Sequence, residues 1–307
     1  MNIAIIGGGP AGMSCALWLA NFGYRPIMIE ADSALGGLQR YNFHDNPWLL
    51  GLPGFNGVAL ADHLVEHFRS LALQSYIGCG IRAINRAGSA FSIALDCTER
   101  STIEASGIVI ATGTRPRAVP GFHELRKLTD RIIIGPTSFL IRSGIRNSRV
   151  LILGGGDNAF DHALYLSSYD NDIRVCTRGA FTARPDFIRR AVDDPAIALH
   201  PDCKVKSITL DPDGLKVQYE DQSQAYDFVL VMYGFAPNSE FLTSADAHAR
   251  PLTDREGFIQ VDRWQRTNIE RIYAAGDITA AQHPCVATAI AQGAVAAKAI
   301  SMDMPID

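Results

Sequence analysis

The stretch Gly7-Gly8-Gly9-Pro10-Ala11-Gly12 decides the fold of this 307-residue chain. It follows Asn2–Ile6 (NIAII), a short apolar run that predicts a β-strand, and it precedes Met13–Phe22, whose pattern predicts a helix. Arg25–Glu30 (RPIMIE) then predicts a second strand that ends on an acid. A G-x-G-x-x-G turn between a strand and a helix is typical of a dinucleotide-binding unit, because glycine permits the tight turn and lets backbone approach a pyrophosphate.

The same pattern occurs a second time along the chain. Arg149–Leu153 (RVLIL) predicts a strand, and the turn Gly154–Ala159 (GGGDNA) follows it. Phe160–Ser168 then predicts a helix, and Ile173–Thr177 (IRVCT) predicts the next strand. Because each glycine motif lies between a predicted strand and a predicted helix, each is stronger evidence than the motif alone.

The residue at the tip of the second strand differs between the two units. Glu30 lies 23 residues after Gly7, where a carboxylate hydrogen-bonds ribose hydroxyls. The same offset from Gly154 falls on Thr177, and Arg178 comes next. A missing carboxylate beside a guanidinium favours a 2′-phosphate, and therefore NADP over NAD. The alternative is that Arg178 is a solvated surface residue.

Two dinucleotide sites in one chain favour a flavoenzyme, with FAD in the first site and a nicotinamide nucleotide in the second. Gly107–Arg115 (GIVIATGTR) predicts an apolar strand that ends in Ala-Thr-Gly. Ile272–Ile278 (IYAAGDI) predicts another that ends in Gly-Asp. Both endings agree with nucleotides bound beside strand ends.

Composition excludes several classes of protein. With 47% hydrophobic and 20% charged residues, the chain is typical of a soluble globular protein of about two domains. A net charge of −4 disfavours nucleic-acid binding, and no apolar run approaches the roughly 20 residues of a membrane span. The apolar N-terminus lacks the basic region of a secretory signal. The six cysteines are scattered without a C-x-x-C pair, so we expect no metal site and a reducing, cytoplasmic location.

In order and spacing, the motifs resemble the pyridine nucleotide–disulfide oxidoreductase family. The resemblance is to its small branch, which contains thioredoxin reductases and the thioredoxin-reductase-like ferredoxin/flavodoxin–NADP reductases. The motifs that carry it are GGGPAG at Gly7–Gly12, Glu30, LGG at Leu35–Gly37, ATG at Ala111–Gly113, GGGDNA at Gly154–Ala159, GFAPN at Gly234–Asn238 and AAGD at Ala274–Asp277.

The resemblance implies an α/β fold of two Rossmann-like dinucleotide-binding domains, each with three ββα layers. An NADPH domain is inserted into a discontinuous FAD domain. In this chain the FAD domain would comprise residues 1–114 and 245–307, and the NAD(P)H domain residues 115–244. Members of this size also imply a homodimer. There is no room for the extra dimerisation domain of the larger branch.

The resemblance also implies site residues. For FAD they are Gly7, Gly9, Pro10, Ala11, Gly12, Glu30, Gly37, Leu38, Asn46, Ala111, Thr112, Gly113, Gly276, Asp277 and Val286. For NADPH, with NADH less favoured, they are Gly154, Gly156, Asp157, Asn158, Ala159, Arg178 and Arg184. Asp277 would hold the ribityl chain or phosphate. The last helix, predicted over Val286–Ile300, would direct its positive N-terminus at the N1/O2 edge of the flavin.

Three departures from the family pattern bear on function. Thioredoxin reductases carry C-x-x-C before the second glycine motif, whereas Arg131–Arg149 contains no cysteine. Thioredoxin reductase activity is therefore not expected. The His-Arg-Arg run that binds the NADP phosphate in those enzymes is Cys176-Thr177-Arg178 here, which weakens the NADPH preference. The Arg-Gln pair before the last helix is Pro284-Cys285.

The acceptor of the electrons remains open between three hypotheses. The first is an FAD-dependent NAD(P)H oxidoreductase without a dithiol, which reduces a ferredoxin- or flavodoxin-type carrier or a small acceptor. The second is a thiol/disulfide oxidoreductase in which Cys285, near a helix N-terminus, reacts as a thiolate and His283 relays a proton. The alternatives for these two residues are a small packing residue and a surface histidine. The third hypothesis is a non-catalytic flavin-binding protein with a vestigial NADPH site.

Two further segments have two interpretations each. The loop Gln39–Phe55 is rich in aromatic residues, which could stack on flavin or form a hydrophobic lid or dimer contact. Residues 115–149 hold eight basic groups and two acids. They could steer an acidic carrier to the protein, or they could form an ordinary solvated surface.

Overall fold

The computed structural model describes residues 1–97, 102–117, 121–136, 140–141, 144–212, 214–220, 222–281 and 283–306. The chain forms two compact units, of which the first comprises Met1–Arg115 and Ala236–Asp307 and the second Pro116–Phe235. One unit is therefore inserted into the other. The second crossing comes earlier than residue 245, so that residues 236–244 lie in the first unit.

The helices of the described residues are α1 (Pro10–Asn21), α2 (Gly57–Ser70), α3 (Phe122–Leu128), α4 (Asp157–Ser167), α5 (Pro185–Val192) and α6 (Val286–Asp303). The strands of the first unit are β1 (Asn2–Ile6), β2 (Arg25–Glu30), β3 (Gln74–Ile77), β4 (Gly80–Ala87), β5 (Ala90–Asp96), β6 (Thr102–Ala105), β7 (Gly107–Ile110) and, near the C-terminus, β18 (Ile272–Ala274). Those of the second are β9 (Ile132–Ile134), β10 (Arg149–Leu153), β11 (Asp172–Cys176), β12 (Ile197–His200), β13 (Ser207–Asp211), β14 (Gly214–Gln218), β15 (Ser223–Tyr226) and β16 (Phe228–Val231). The two crossings between the units carry β8 (Thr114–Pro116) and β17 (Phe235–Pro237).

The first unit has three layers around a parallel sheet of order β18-β7-β1-β2-β3. Side chains alternate across β1, as they must in a strand buried on both faces. Ile3 and Ile5 join a core cluster with α1, α2 and α6, whereas Ala4 and Ile6 join one with the antiparallel sheet β4-β5-β6. The unit is therefore a helix layer, a parallel sheet and an antiparallel sheet.

The second unit repeats this plan on a smaller scale. Its sheet has the order β12-β11-β10-β16-β9, and all of its pairs are parallel. Leu151, Leu153 and Cys176 pack against residues of the antiparallel sheet β13-β14-β15. The carboxyl ends of β10 and β11 lie at the edge where the second glycine turn begins, which is the edge that binds ligands in open α/β sheets.

The glycine motifs lie between the predicted strands, but several element bounds differ from the sequence predictions. The predicted strands Gly107–Arg115 and Ile272–Ile278 were too long, since β7 ends at Ile110 and β18 at Ala274. The helices α1 and α4 begin three residues earlier than predicted because Gly9 and Gly156 serve directly as their N-caps. α6 continues to Asp303 instead of ending at Ile300. Among the described residues, no helix combines the length and apolarity that crossing a membrane requires.

Candidate nucleotide-binding sites

The first glycine turn is fixed by close backbone contacts. The Gly7 N–H donates to the Ile29 carbonyl over 2.8 Å, and Gly7 has a φ of +108°, where a side chain is strained. A Cβ at Gly7 would overlap the Ala111 carbonyl, and one at Gly12 would overlap the Gly7 carbonyl. Glycine at these two positions therefore allows β1, β7 and α1 to approach each other.

The N-terminus of α1 is suited to an anion. Its N-cap is Gly9, which has no side chain to cap the first turn, and Pro10 occupies the first helical position. Gly37 approaches the same point, since a Cβ on it would lie 3.2 Å from the Gly9 Cα. Glycine backbone on both sides, together with the positive end of the helix dipole, forms the cradle that a pyrophosphate requires.

Glu30 is oriented by two backbone donors. Its Oε2 accepts from the Gly8 N–H and its Oε1 from the Asp32 N–H, each over 2.7 Å. Each carboxylate oxygen retains a further lone pair, because a carboxylate can accept about four hydrogen bonds. The predicted ribose-binding acid is thus held at the tip of β2 beside the glycine turn.

Asn238 locks the turn that follows β7, a role that sequence reasoning missed. Its Nδ2 donates to the Thr112 carbonyl over 2.8 Å, and its N–H donates to the Gly113 carbonyl over 3.0 Å. Thr112 returns a hydrogen bond of 2.8 Å from its hydroxyl to the Asn238 carbonyl. Ala111–Gly113, expected to contact FAD, is therefore a fixed turn. The motif GFAPN contained the signal, but no role had been assigned to its last residue.

Asp277 provides the test of whether this unit fits a flavin nucleotide. Its Oδ1 is buried and has no hydrogen-bond partner among the described residues, and burial raises the pKa of this carboxyl. A buried acceptor without a donor is costly, and hydroxyl groups such as those of a ribityl chain would satisfy it. Gln39 Oε1, next to Leu38, is a second buried acceptor of this kind. The residues present therefore fit FAD.

Gly276 brings the Asp277 turn against two helices. The Gly276 N–H donates to Gln292 Oε1 of α6 over 2.7 Å, and a Cβ at Gly276 would lie 2.8 Å from the Ala11 Cβ of α1. The N-terminal parts of α1 and α6 consequently meet at this turn. Gln292 is a second positioning residue that sequence reasoning missed.

Cys285 and His283 lie together at the start of α6, where both take part in capping. Thr288 and Cys285 form a reciprocal capping box, in which the Thr288 N–H donates to Cys285 Sγ over 3.5 Å. The Thr288 hydroxyl donates to the His283 carbonyl over 2.8 Å. Val286, the first helical residue, is buried. This geometry favours the structural interpretation of Cys285.

Asn46 holds the aromatic loop closed. Its N–H donates to the Phe55 carbonyl over 2.8 Å, and its Oδ1 accepts from the Trp48 N–H over 3.3 Å. Trp48 is 73% exposed and Leu50 is fully exposed. The loop thus presents apolar side chains to the surroundings of the first unit.

The second glycine turn repeats the first with one change. The Gly154 N–H donates to the Cys176 carbonyl over 2.9 Å, as Gly7 donates to Ile29. Thr177 therefore occupies the position of Glu30, and a Cβ at Gly155 would lie 2.9 Å from its hydroxyl oxygen. The strand tip carries no carboxylate, in agreement with the sequence.

The N-terminus of α4 has an internal ion pair. Gly156 is its N-cap, and no side chain of this cap completes the first turn. Asp157 accepts from the Arg184 N–H over 2.8 Å and pairs with its Nε over 3.0 Å. Arg178 is exposed, with its guanidinium 5.6 Å from the centroid of the Tyr233 ring. Of the two predicted arginines, Arg178 is thus better placed for a 2′-phosphate.

Asn158 and Ala159 complete the first turn of α4. The Asn158 carbonyl accepts from His162 Nδ1 over 2.7 Å, and Ala159 is buried against the sheet side of the helix. Ala159 corresponds to Gly12 of the first unit. A methyl group is accommodated here, so this helix needs no third glycine.

These two sites, on a repeated three-layer fold, define a two-nucleotide oxidoreductase. The model of the pyridine nucleotide-disulphide oxidoreductases matches residues 1–294, and the chain belongs to that family. The expected α/β fold class is thereby confirmed.

Relatives within the family carry two kinds of name. A ferredoxin--NADP reductase of Lactococcus lactis subsp. cremoris (strain MG1363) is 27% identical over 288 residues, which cover 90% of this chain and 85% of the relative. A thioredoxin reductase of Treponema pallidum (strain Nichols) is 25% identical and covers 97% and 95%. The solved thioredoxin reductase of Lactococcus lactis has a TM-score of 0.85 at 25% identity over 98% of both chains.

Proposed function

We propose that the chain is an FAD-dependent NADPH oxidoreductase that passes electrons to a ferredoxin- or flavodoxin-type carrier. The observation that carries this proposal is the difference between two otherwise equivalent glycine turns. One has Glu30 at its strand tip, and the other has Thr177 followed by Arg178. The first arrangement suits an adenosine ribose and the second a 2′-phosphate. Relatives named ferredoxin--NADP reductase support the choice of carrier.

The residues of the chain bind and orient the cofactors. Bound FAD supplies the electron-transfer chemistry between the nicotinamide and the acceptor. Gly9 and Gly37 leave room for the pyrophosphate, Glu30 accepts from the ribose, and Asp277 accepts from the hydroxyl groups of the ribityl chain. The positive end of α6 stabilises negative charge at the flavin edge. In the second unit, Gly156 and Arg178 bind the phosphates of NADPH.

A thioredoxin reductase is the alternative that the relatives bring forward. Arg131–Arg149 contains no cysteine, so this segment cannot supply the C-x-x-C relay. Cys285 caps α6, which supports a structural role over that of a thiol catalyst. We therefore propose electron transfer to a carrier without a thiol intermediate, from a homodimer as in other members of this size.

Anaerobic titration of the purified protein tests the proposal. We expect a bound flavin whose absorbance near 450 nm is bleached by NADPH at lower concentrations than by NADH. The reduced protein should then reduce ferredoxin or flavodoxin, while thioredoxin stays oxidised. A flavin that neither nucleotide bleaches would indicate a non-catalytic flavin-binding protein. If Cys285→Ser abolished turnover with FAD still bound, the thiol mechanism would replace this one.

A further inference from the structure

Two cysteines that no sequence motif connects meet in the second unit. Cys176 is the last residue of β11, and Cys203 follows the end of the neighbouring strand β12 by three residues. Their Sγ atoms are 2.9 Å apart, and both are free thiols. The fold therefore creates a dithiol from residues 27 positions apart in a chain that lacks C-x-x-C.

This dithiol lies directly behind the nucleotide-binding turn. The Cys176 carbonyl accepts from the Gly154 N–H over 2.9 Å, which fixes the first glycine of the motif. The Cys203 N–H donates to the Thr177 carbonyl over 2.8 Å. A change in the position of either cysteine is thus transmitted by one hydrogen bond to Gly154 or to the strand tip that carries Arg178.

The two thiols differ in accessibility. Cys176 is 2% exposed and belongs to the core cluster that includes Tyr219 and Tyr226. Burial, followed by the neighbouring Cys203, raises the pKa of Cys176. Cys203 is only half-buried. An external reagent therefore meets Cys203 first, and Cys176 is protected from reagents larger than its immediate neighbour.

We propose that Cys176 and Cys203 form a reversible disulfide that weakens NADPH binding by the second unit. The effect on binding rests on the proposed function. The oxidant is a low-molecular-weight disulfide. The Cys203 thiolate attacks it and releases one thiol, which takes the proton. Cys176 Sγ then attacks the Cys203 sulfur of the mixed disulfide, the second thiol leaves with the Cys176 proton, and two cysteines have been oxidised while one disulfide has been reduced.

The geometry sets the direction of the effect. A disulfide has sulfur atoms about 2.05 Å apart, so its formation draws these two together by about 0.9 Å. Since Cys203 is tied to Thr177, the strand tip beside Arg178 shifts with it. We expect the Kd for NADPH to rise about threefold or more. The Kd for NADH, which lacks the 2′-phosphate, should change less.

The test uses the purified, flavin-loaded protein in buffers of graded glutathione to glutathione-disulfide ratio. Free thiols are alkylated, and tryptic peptides are analysed by mass spectrometry without reduction. A crosslink between peptides 175–178 and 191–204, reversed by dithiothreitol, is the expected product. The Kd values for NADPH and NADH are measured on the same samples. Cys203→Ser should bind NADPH equally at every ratio, and Cys97→Ser should respond as the unsubstituted protein does.

The outcomes separate the two proposals. Absence of the crosslink at every ratio overturns the disulfide, whatever the nucleotide affinity. A crosslink with an unchanged Kd for NADPH overturns the effect on binding. Failure of the fully reduced protein to bind NADPH overturns the proposed function and the effect on binding with it, while the crosslink is still scored independently.

Discussion

Thr177 is the single position at which the second nucleotide turn departs most clearly from the first. In the first turn, Glu30 at this position accepts from the Gly8 N–H. Thr177→Glu should place a carboxylate where the Gly155 N–H can reach it and where a 2′-phosphate is repelled. We expect the Kd for NADPH to rise about tenfold, as for a loss of roughly 1.4 kcal/mol, and the Kd for NADH to fall.

Anaerobic titration with each nucleotide measures this change in preference. Ser168→Glu adds the same charge at the far end of α4 and serves as the control. If both variants shifted the two Kd values equally, the effect would be one of net charge, and Thr177 would not be the determinant.

Asp277 gives a pH-dependent signature in the protein stripped of flavin. Because burial raises the pKa of its carboxyl, the folded state binds this proton more tightly than the unfolded state does. The corresponding stabilisation is present below the unfolded pKa of about 3.9 and is lost as the pH rises through the folded pKa. Asp277→Asn removes this titration. Its free energy of unfolding should therefore gain on that of the unsubstituted protein as the pH rises.

Urea unfolding of the apoprotein across mildly acidic to neutral pH measures the difference. Asp62→Asn, an exposed substitution on α2, provides the control. A constant offset between Asp277→Asn and the unsubstituted protein over this range would contradict a buried, unpartnered carboxyl.

At the scale of elements, α6 must approach α1 closely for the FAD cradle to form. A Cβ at Gly293 would overlap the Ala11 carbonyl and lie 3.0 Å from the Cys15 nitrogen. Helix propensity alone favours Ala over Gly by about 1 kcal/mol, yet overpacking costs about 1–3 kcal/mol. We expect Gly293→Ala to lower the free energy of unfolding and to reduce the ratio of bound flavin to protein.

Chemical denaturation and flavin absorbance report these two quantities. Ala291→Ser, on the exposed face of α6, should leave both nearly unchanged. A Gly293→Ala protein that was stabilised by its better helix former would show that α6 and α1 can separate without loss of the site.

Local pattern was sufficient for the elements around the glycine turns. β1, β2 and β10 have the predicted bounds because apolar runs end sharply at glycine or at an acid. It was not sufficient to find the end of β7, since apolar composition does not reveal where strand pairing stops. At that end, Gly113 has a φ of +61° and the chain turns.

Long-range pairs escaped prediction for a different reason. The Cys176–Cys203 contact and the Asp157–Arg184 ion pair each join residues 27 positions apart. Both depend on the spatial arrangement of elements in the second unit. Each partner alone had an ordinary interpretation, as a packing cysteine or a phosphate-binding arginine. Only the fold places the partners together.

At the scale of the whole molecule, the structure reduces the basic segment 115–149. Three of its eight basic side chains are paired internally: Arg115 with Glu240, Lys127 with Glu124 and Arg149 with Asp227. Arg142 lies outside the described residues. Arg126 and Arg131 remain as exposed cations on the second unit. They are the positions at which electrostatic attraction of an acidic carrier is best tested.

The double variant Arg126→Glu/Arg131→Glu should lower kcat/KM for ferredoxin or flavodoxin about tenfold at low ionic strength, because steering by surface charge acts mainly on the association rate. The loss should shrink as salt approaches 0.15 M, where the Debye length is about 8 Å. Reduction of an uncharged quinone should be unaffected, which separates steering from damage to the NADPH site. Arg25→Glu, an equal charge change on the first unit, controls for net charge. Equal losses for the double variant and for two such reversals elsewhere would mean that the segment makes no specific contact with the carrier.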